Sequence, residues 1–287
     1  SGAASGVYTA GIAVQGSTNA LISGNTVYVE GWLPSSSSGN NAAINVGMIS
    51  SAVSGATIER NKVLRMWNNN SGGYPAFGIN LGGGNDHLVR NNFVANVLDV
   101  ANATFGSTFT AWGIRAGSGT GHVVTHNSVN MFGAQTGTGA ALTAAFGVAS
   151  TGQTGMSIQN NIFSNTVTGG GASTAHVSIC LPNSGTSALN MTLNNNDYFS
   201  GSTSGVSGIA HVGFTYLSTP AGPGTYSGLY TSANFNSADT VNNLNLRTYT
   251  SLLSSFGTND NSSKVVDPLF VSSTDLHIQT SSTMESA

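Results

Sequence analysis

A six-residue motif of apolar and polar positions recurs along the chain. It begins with an aliphatic residue, places an asparagine three positions later, and ends two positions further on with an apolar or aromatic residue. Successive copies are 30 to 36 residues apart, and most follow a short run with an aliphatic residue at its centre. A nearly fixed step of this size indicates a repeat architecture, in which each unit stacks on the next. The motif asparagines are Asn25, Asn61, Asn91, Asn127, Asn161 and Asn196.

The apolar positions within one unit predict three short β-strands. They do not follow the 3.6-residue period of a helix, and the segments between them are rich in Gly, Ser and Thr. The sequence therefore predicts an all-β fold, a right-handed parallel β-helix of about seven coils with a spacing of about 4.8 Å between paired strands. Long loops after the third strands would emerge along one edge, at 31–43, 67–76, 99–111, 133–145 and 168–175.

In such a fold the motif asparagines would stack at one corner. Asparagine tolerates the left-handed backbone conformation of a tight corner, and its amide can bond to the equivalent residue in the next coil. We therefore predict that the six asparagines form a structural ladder with no role in binding.

The repeat divides the chain into three parts of one predicted domain, residues 1–287. Residues 1–200 contain the regular coils, and the regular step is lost over 201–263, where "LRTYTSLLSSFG" predicts a short helix ending near Gly257. The step returns in "VVDPLF" and "TDLHIQ", so 264–287 are predicted to hold the final strands of a decorated C-terminal coil. We expect the native polypeptide to continue at both ends.

Composition supports a folded chain and narrows its partners. Charged residues are only 6% of the chain, while 39% of the residues are hydrophobic, and the net charge is −3. Disordered chains combine low hydrophobicity with high net charge, and nucleic-acid-binding domains are basic, so both classes are disfavoured. No apolar stretch is long enough to span a membrane. The single cysteine, Cys180, excludes an internal disulfide and is predicted to be a buried structural thiol.

Three segments carry a family resemblance: "HVVTHNSVNMFG", "SIQNNIFSNT" and "VVDPLFVSSTDLHIQ". They resemble the β-helix repeats of large extracellular proteins of the Bacteroidetes and related phyla. The wider group with this fold includes pectate-lyase-like enzymes and adhesin-like surface proteins. The resemblance implies a right-handed β-helix and a secreted or cell-surface location. It implies no particular activity, because one fold hosts many functions.

Candidate catalytic residues are few. Asp86 and His122 both lie five residues before a motif asparagine, so the repeat predicts that they stack in adjacent coils. A carboxylate beside a histidine could act as an acid–base pair, although a hydrogen bond at a turn is the simpler interpretation. The other acids are scattered over the repeat, which predicts neither paired catalytic carboxylates nor a metal site. No cofactor is predicted either, and the pattern favours a protein that is not an enzyme.

Aromatic residues provide the candidate ligand-binding sites. Trp32, Trp67 and Tyr74 lie in or beside the long loops, where a row of rings could contact a sugar or a partner chain. A second set of rings follows the repeat step and is predicted to stack inside the solenoid, namely Phe77, Trp112 and Phe146.

These observations leave three hypotheses about function. The favoured one is a secreted or cell-surface structural or adhesive module that contacts polysaccharide or another surface protein. The first alternative is a polysaccharide-degrading enzyme, either a lyase or a glycoside hydrolase. The second is a building block of an extracellular fibre, because the ends of a β-helix carry unpaired strand edges and a low surface charge permits end-to-end or lateral self-association.

Overall fold

The protein is described here by a computed structural model. The described residues are 10–31, 41–47, 53–70, 74–101, 105–108, 110–184, 186–201, 206–221, 226–236 and 245–284. Trp32 and most of the 31–43 loop lie outside them.

The described chain consists mainly of short strands. In chain order they are β1 (Ala10–Val14), β2 (Leu21–Ser23), β3 (Thr26–Gly31), β4 (Ala42–Val46), β5 (Thr57–Glu59), β6 (Lys62–Asn68), β7 (Ala76–Leu81), β8 (Leu88–Arg90), β9 (Phe93–Ala95), β10 (Val97–Asp99), β11 (Ala111–Ala116), β12 (Val123–Thr125), β13 (Ser128–Met131), β14 (Ala134–Gln135), β15 (Leu142–Val148), β16 (Ser157–Gln159), β17 (Ile162–Asn165), β18 (Thr168–Gly169), β19 (Ala175–Leu181), β20 (Thr192–Asn194), β21 (Asp197–Ser200), β22 (Val206–Val212) and β23 (Gly228–Tyr230). The helices are α1 (Leu246–Leu252) and two short 3-10 helices, Ser187–Leu189 and Ser232–Asn234.

The strands build three parallel sheets of a β-solenoid, which confirms the predicted fold class. The first sheet has the order β1-β4-β7-β11-β15-β19-β22, the second β2-β5-β8-β12-β16-β20, and the third contains β3, β6, β9, β13, β17 and β21. Each strand pairs in parallel with the equivalent strand of the next coil. From β2 to β20 the chain makes about five turns, fewer than the predicted seven.

The repeated apolar positions fill the interior. On the second sheet one aligned column is fully or almost fully buried, and it consists of Ile22, Ile58, Val89, Val124, Ile158 and Leu193. Burial of one such side chain contributes about 1.5–3 kcal/mol. The third sheet supplies a facing column of Val27, Val63, Val94, Val129, Phe163 and Tyr198.

The asparagine ladder is present, with one member different from the prediction. The backbone N–H and the side-chain amide of each ladder asparagine both donate to the Oδ1 atom of the next one, at 2.9–3.1 Å. The amides from Asn61 onwards also donate to a backbone carbonyl of the preceding coil. The ladder consists of Asn25, Asn61, Asn92, Asn127, Asn161 and Asn196.

Asn91 was wrongly predicted to belong to the ladder. The third coil carries doubled residue types, with Leu88 beside Val89, Asn91 beside Asn92, and Phe93 beside Val94, so the motif fits equally well one position earlier. In the structure Val89, Asn92 and Val94 face inward, while Asn91 is exposed.

The left-handed corner is therefore one residue before each ladder asparagine. Five non-glycine residues occupy it with φ between 53° and 57°, and in the first coil the position is Gly24. Because the ladder residue follows directly, its side chain turns inward, and the side chain of the corner residue turns toward solvent. The five residues are Arg60, Asn91, His126, Asn160 and Asn195.

The first sheet is buried on both faces. Phe146 packs in the interior, where its ring centroid is 5.3 Å from that of Phe163. Phe77 and Trp112 are also fully buried, but they belong to a separate apolar cluster on the outer face. The prediction that all three rings stack inside is therefore wrong for Phe77 and Trp112. A Cβ atom at Gly147 would lie 2.3 Å from the Trp112 ring, so only glycine fits beside it.

The C-terminal end of the solenoid is covered by the irregular region. Helix α1 lies close to the predicted position, and Leu246, Tyr249 and Leu253 are buried in the main apolar cluster. Beyond it the chain pairs with the last coil, where Asp260 N–H donates to Leu193 O at 2.7 Å. At the ladder position the Ser263 hydroxyl accepts the backbone N–H of Asn196. We call residues 245–263 the C-terminal cap.

Residues 264–284 fold back over the outer face of the third sheet. Asn130 Nδ2 donates to Ser273 O at 3.5 Å, and the His277 ring contacts the edge of Phe93. The described part of this segment forms only two isolated bridges, one of which joins Phe270 and Ile278, where two strands were predicted.

Candidate binding surface

The predicted Asp86–His122 pair is not formed, for the same reason that Asn91 was misassigned. Counted from Asn92 instead of Asn91, the residue that aligns with His122 is His87. The two imidazoles stack with a centroid distance of 4.9 Å and an interplanar angle of 6°. Asp86 aligns with Gly121, and a Cβ atom there would lie 2.2 Å from Asp86 Oδ1.

The stacked histidines serve as structural hydrogen-bonding groups. The backbone N–H of His87 donates to His122 Nδ1, and His122 Nε2 bonds to Ser118 O at 2.8 Å. One ring nitrogen therefore accepts and the other donates, which describes a neutral imidazole. Burial lowers the pKa of His122 to about 4, so the ring stays neutral at physiological pH. This geometry gives no support to an acid–base role.

Three other carboxylates of the described ranges lie in separate environments. Glu59 lies between Arg60 and Arg90, and their hydrogen bonds hold its pKa below the usual range. Burial raises the pKa of Asp99 to about 8 and that of Asp197 to about 7. Within the described ranges no group of three or more His, Cys, Asp or Glu side chains is placed to hold a metal ion. Cys180 is fully buried, as predicted, and burial raises its thiol pKa.

Of the three predicted ligand-binding rings, the structure describes two. Trp32 lies outside the described residues. Tyr74 is half-buried, and its backbone carbonyl accepts the amide of Asn68 at 3.1 Å. Trp67 is half-buried and belongs to strand β6, not to a loop. Because its neighbour Met66 points into the core, Trp67 lies on the outer face of the third sheet. Its ring is partly buried against the main apolar cluster, and its indole N–H donates to Asn96 Oδ1 at 2.5 Å.

Trp67 forms a cluster with three residues that the sequence reasoning missed, and we call the four residues the aromatic patch. The Arg65 guanidinium lies 4.2 Å from the Trp67 ring centroid and 5.5 Å from that of Tyr28. Arg65 also donates a hydrogen bond to Glu30 at 2.8 Å, and Glu30 accepts a second one from the Tyr28 hydroxyl. These hydrogen bonds, from Tyr28 first and then Arg65, lower the pKa of Glu30. Tyr28 is 59% exposed.

The repeat alone does not place the residues of the patch together. Strands β3 and β6 pair in parallel, which aligns Tyr28 with Arg65 and Glu30 with Trp67. The motif register alone misplaces these pairs by one residue, because an irregularity between Val27 and Tyr28 shifts the pairing. Without that shift, the alternation of inward and outward residues along β3 and β6 would have predicted this outer surface.

A second exposed feature runs along the left-handed corner, and we call it the corner ridge. It consists of the outward side chains of Arg60, Asn91, His126, Asn160 and Asn195, one from each coil. At its C-terminal end an open groove of about 700 Å³ lies between the ridge and the base of the 264–284 segment. The groove is lined by Asn160, Asn161, Ile162, Asn195, Asn196, Ser262, Lys264 and Met284.

Comparisons with known proteins give no match, whether the chain is set against family models, curated proteins or solved structures. The fold is therefore shown by the structure itself. Among the helices in the described ranges, none is long and apolar enough to cross a membrane.

Proposed function

We propose that the chain is a non-catalytic module that contacts glycans through the aromatic patch. The observation that carries this proposal is the arrangement of Tyr28 and Trp67 around Arg65 on the outer face of the third sheet. The exposed Tyr28 ring and the accessible part of Trp67, beside the Arg65–Glu30 ion pair, offer both apolar contact and hydrogen-bonding groups.

The patch is held in place by contacts within the protein. Its residues lie on paired strands, and Glu30 fixes the position of Arg65, which in turn contacts both rings. A surface that is held in its binding geometry loses little side-chain entropy on association. The patch is therefore better suited to binding than flexible loop rings would be.

The proposed location is secreted or on the cell surface. It is supported by the resemblance of the repeat segments to extracellular Bacteroidetes proteins, and polysaccharide or another surface protein is the proposed partner. Of the alternatives, the polysaccharide-degrading enzyme loses its candidate pair, since Asp86 and His122 are not aligned. The fibre hypothesis loses one free edge, since the C-terminal cap occupies the end of the last coil.

We expect the substitutions Trp67→Ala and Tyr28→Ala each to weaken glycan binding about tenfold, since loss of a contacting ring costs about 1.4 kcal/mol. The measurement is a glycan array screen of the intact chain, followed by calorimetric titration with the best-bound glycan. Thermal melting of each variant establishes that the fold is retained.

The matched control is Phe256→Ala. Phe256 is 83% exposed and lies in the C-terminal cap, far along the chain from the patch. Its removal should leave the affinity unchanged. Binding that survives both patch substitutions, or that is lost equally in Phe256→Ala, would exclude the patch as the contact surface.

A further inference from the structure

The corner ridge places one hydrogen-bonding side chain on each of five successive coils. All five residues share the left-handed backbone conformation, so their side chains leave the corner in the same way. The coil spacing of a parallel sheet is about 4.8 Å. The ridge is thus a straight row of outward polar groups, parallel to the solenoid axis and repeated at that interval.

The left-handed conformation favours asparagine, which accounts for the residue type of Asn91, Asn160 and Asn195, but it does not require a side chain. Glycine occupies the same position in the first coil, at Gly24, and Gly121 and Gly155 serve the other left-handed corner. Arginine is an uncommon residue at positive φ, yet Arg60 has φ 53°. Glycine could therefore occupy this corner in every coil, yet five coils carry a polar side chain there.

The asparagines of the ridge have free amides. Asn91, Asn160 and Asn195 are exposed, and within the described residues their side chains form no hydrogen bond. An amide offers two donor hydrogens and an acceptor oxygen, which matches the hydroxyl groups of a sugar. The ladder amides one residue later differ in this respect, because their hydrogen bonds are all made within the protein.

The groove at the end of the ridge brings two of these amides together with residues of the C-terminal segment. Asn160 and Asn195 line it, as do Lys264, which pairs with the last coil, and Met284. Its volume of about 700 Å³ lies within the usual range of ligand sites. Lys264 Nζ makes a single long hydrogen bond, 3.4 Å to Thr283 O, so it retains donors for a ligand.

We propose that the corner ridge and its groove bind a linear neutral glycan that runs parallel to the solenoid axis, with successive sugar units opposite successive coils. This inference goes beyond the proposed function, because it assigns a second surface with its own class and orientation of ligand. Neutral sugars suit the site because three of the five ridge groups are uncharged amides, and because Arg60 is already paired with Glu59.

The test is calorimetric titration of the intact chain with linear β-1,4-linked cello-oligosaccharides, from the disaccharide to the octasaccharide. Affinity should rise with each added unit and level off once the ligand spans the ridge. In the double variant Asn160→Gly with Asn195→Gly, affinity for the longer oligosaccharides should fall at least tenfold, since two hydrogen-bonding groups are lost. Glycine retains the left-handed conformation, so the substitution adds no backbone strain.

The matched control is Asn19→Gly, which removes an exposed asparagine with φ 54° from the other left-handed corner. It should bind like the unmodified protein. Wild-type affinity in the double variant, or an affinity that does not depend on ligand length, would overturn the axial site. Stronger binding of oligogalacturonides than of cello-oligosaccharides would overturn the assignment to neutral glycans.

The same titrations separate this inference from the proposed function. Loss of binding in Trp67→Ala with full binding in the ridge variant would refute the ridge and retain the aromatic patch. Loss of binding in the ridge variant with full binding in Trp67→Ala would support the ridge and refute the patch.

Discussion

Replacing Asn92 with glycine should lower the free energy of unfolding by about 3 kcal/mol or more, whereas the same change at Asn91 should alter it by less than about 0.5 kcal/mol. In Asn92→Gly the backbone N–H of Asn61 loses its acceptor, and the Asn61 amide keeps only its bond to Ile22 O. The carbonyl of Ile58 loses its donor as well. Each buried polar group left without a partner costs about 1–3 kcal/mol.

Asn91→Gly is the matched control because it is the same substitution one residue earlier. The Asn91 side chain is exposed, and its backbone has φ 53°, a conformation that glycine adopts without strain. Denaturant unfolding of the two variants gives the comparison. Equal stability losses would mean that the amide ladder does not stabilise the third coil.

The second large effect concerns Asp99, which should make the protein less stable as the pH rises. The side chain is fully buried, its Oδ1 atom accepts only the N–H of Ala101, and its Oδ2 atom has no partner in the described part of the chain. Burial raises the pKa of Asp99 to about 8, compared with about 3.9 in an unfolded chain. Asp99 therefore favours the neutral acid in the folded state.

The sign of the pH dependence follows from this difference. Between about pH 4 and pH 8 the folded state holds a proton that the unfolded state has released, so stability falls by up to about 1.4 kcal/mol per pH unit. The full contribution is present below pH 4 and is lost as the pH approaches 8. Asp197, whose pKa burial raises to about 7, adds to the same trend.

We expect Asp99→Asn to raise the melting temperature at pH 8 and to change it little at pH 4. Asparagine is already used at two other strand ends, where Asn68 and Asn165 accept the N–H of the residue two positions later and donate their amide to backbone carbonyls. An amide at position 99 can make the same bonds without carrying a charge.

The control for this experiment is Asp275→Asn. Asp275 is exposed and bonds to His277, which lowers its pKa, so its removal should not stabilise the protein at pH 8. If Asp99→Asn showed the same decline in stability from pH 4 to pH 8 as the unmodified protein, Asp99 would not be its source.

The fold could be predicted because the interior requires the same residue types at equivalent positions of every coil. An aliphatic column such as Ile58, Val89 and Val124 recurs at each turn, and the ladder amides recur beside it. The positions of the ladder asparagines were misaligned only in the third coil, where adjacent residues of the same type allow two alignments. That single shift misplaced Asn91 and separated the predicted pair of Asp86 and His122.

The candidate site could be predicted only in part. Trp67 was singled out because of its residue type, but its neighbours Tyr28 and Arg65 meet across strands, and the pairing shifts at an irregularity after Val27. Phe77 and Trp112 were placed inside because the repeat shows which positions align but not which face of the first sheet they occupy. The outer face of that sheet is buried, with Phe105 and Phe214 packed against its rings, a feature that no local pattern reveals.

The C-terminal cap ends the hydrogen-bonded row of ladder asparagines. Each asparagine receives hydrogen bonds at its oxygen and extends the row through its own N–H and amide, so any coil could in principle be followed by another. The Ser263 hydroxyl accepts a hydrogen bond from the N–H of Asn196 and donates one to the carboxyl of Asp260. The Tyr198 hydroxyl donates a hydrogen bond to the same carboxyl. The row of ladder asparagines therefore ends at Ser263, whose hydroxyl donates to Asp260 and not to a further coil.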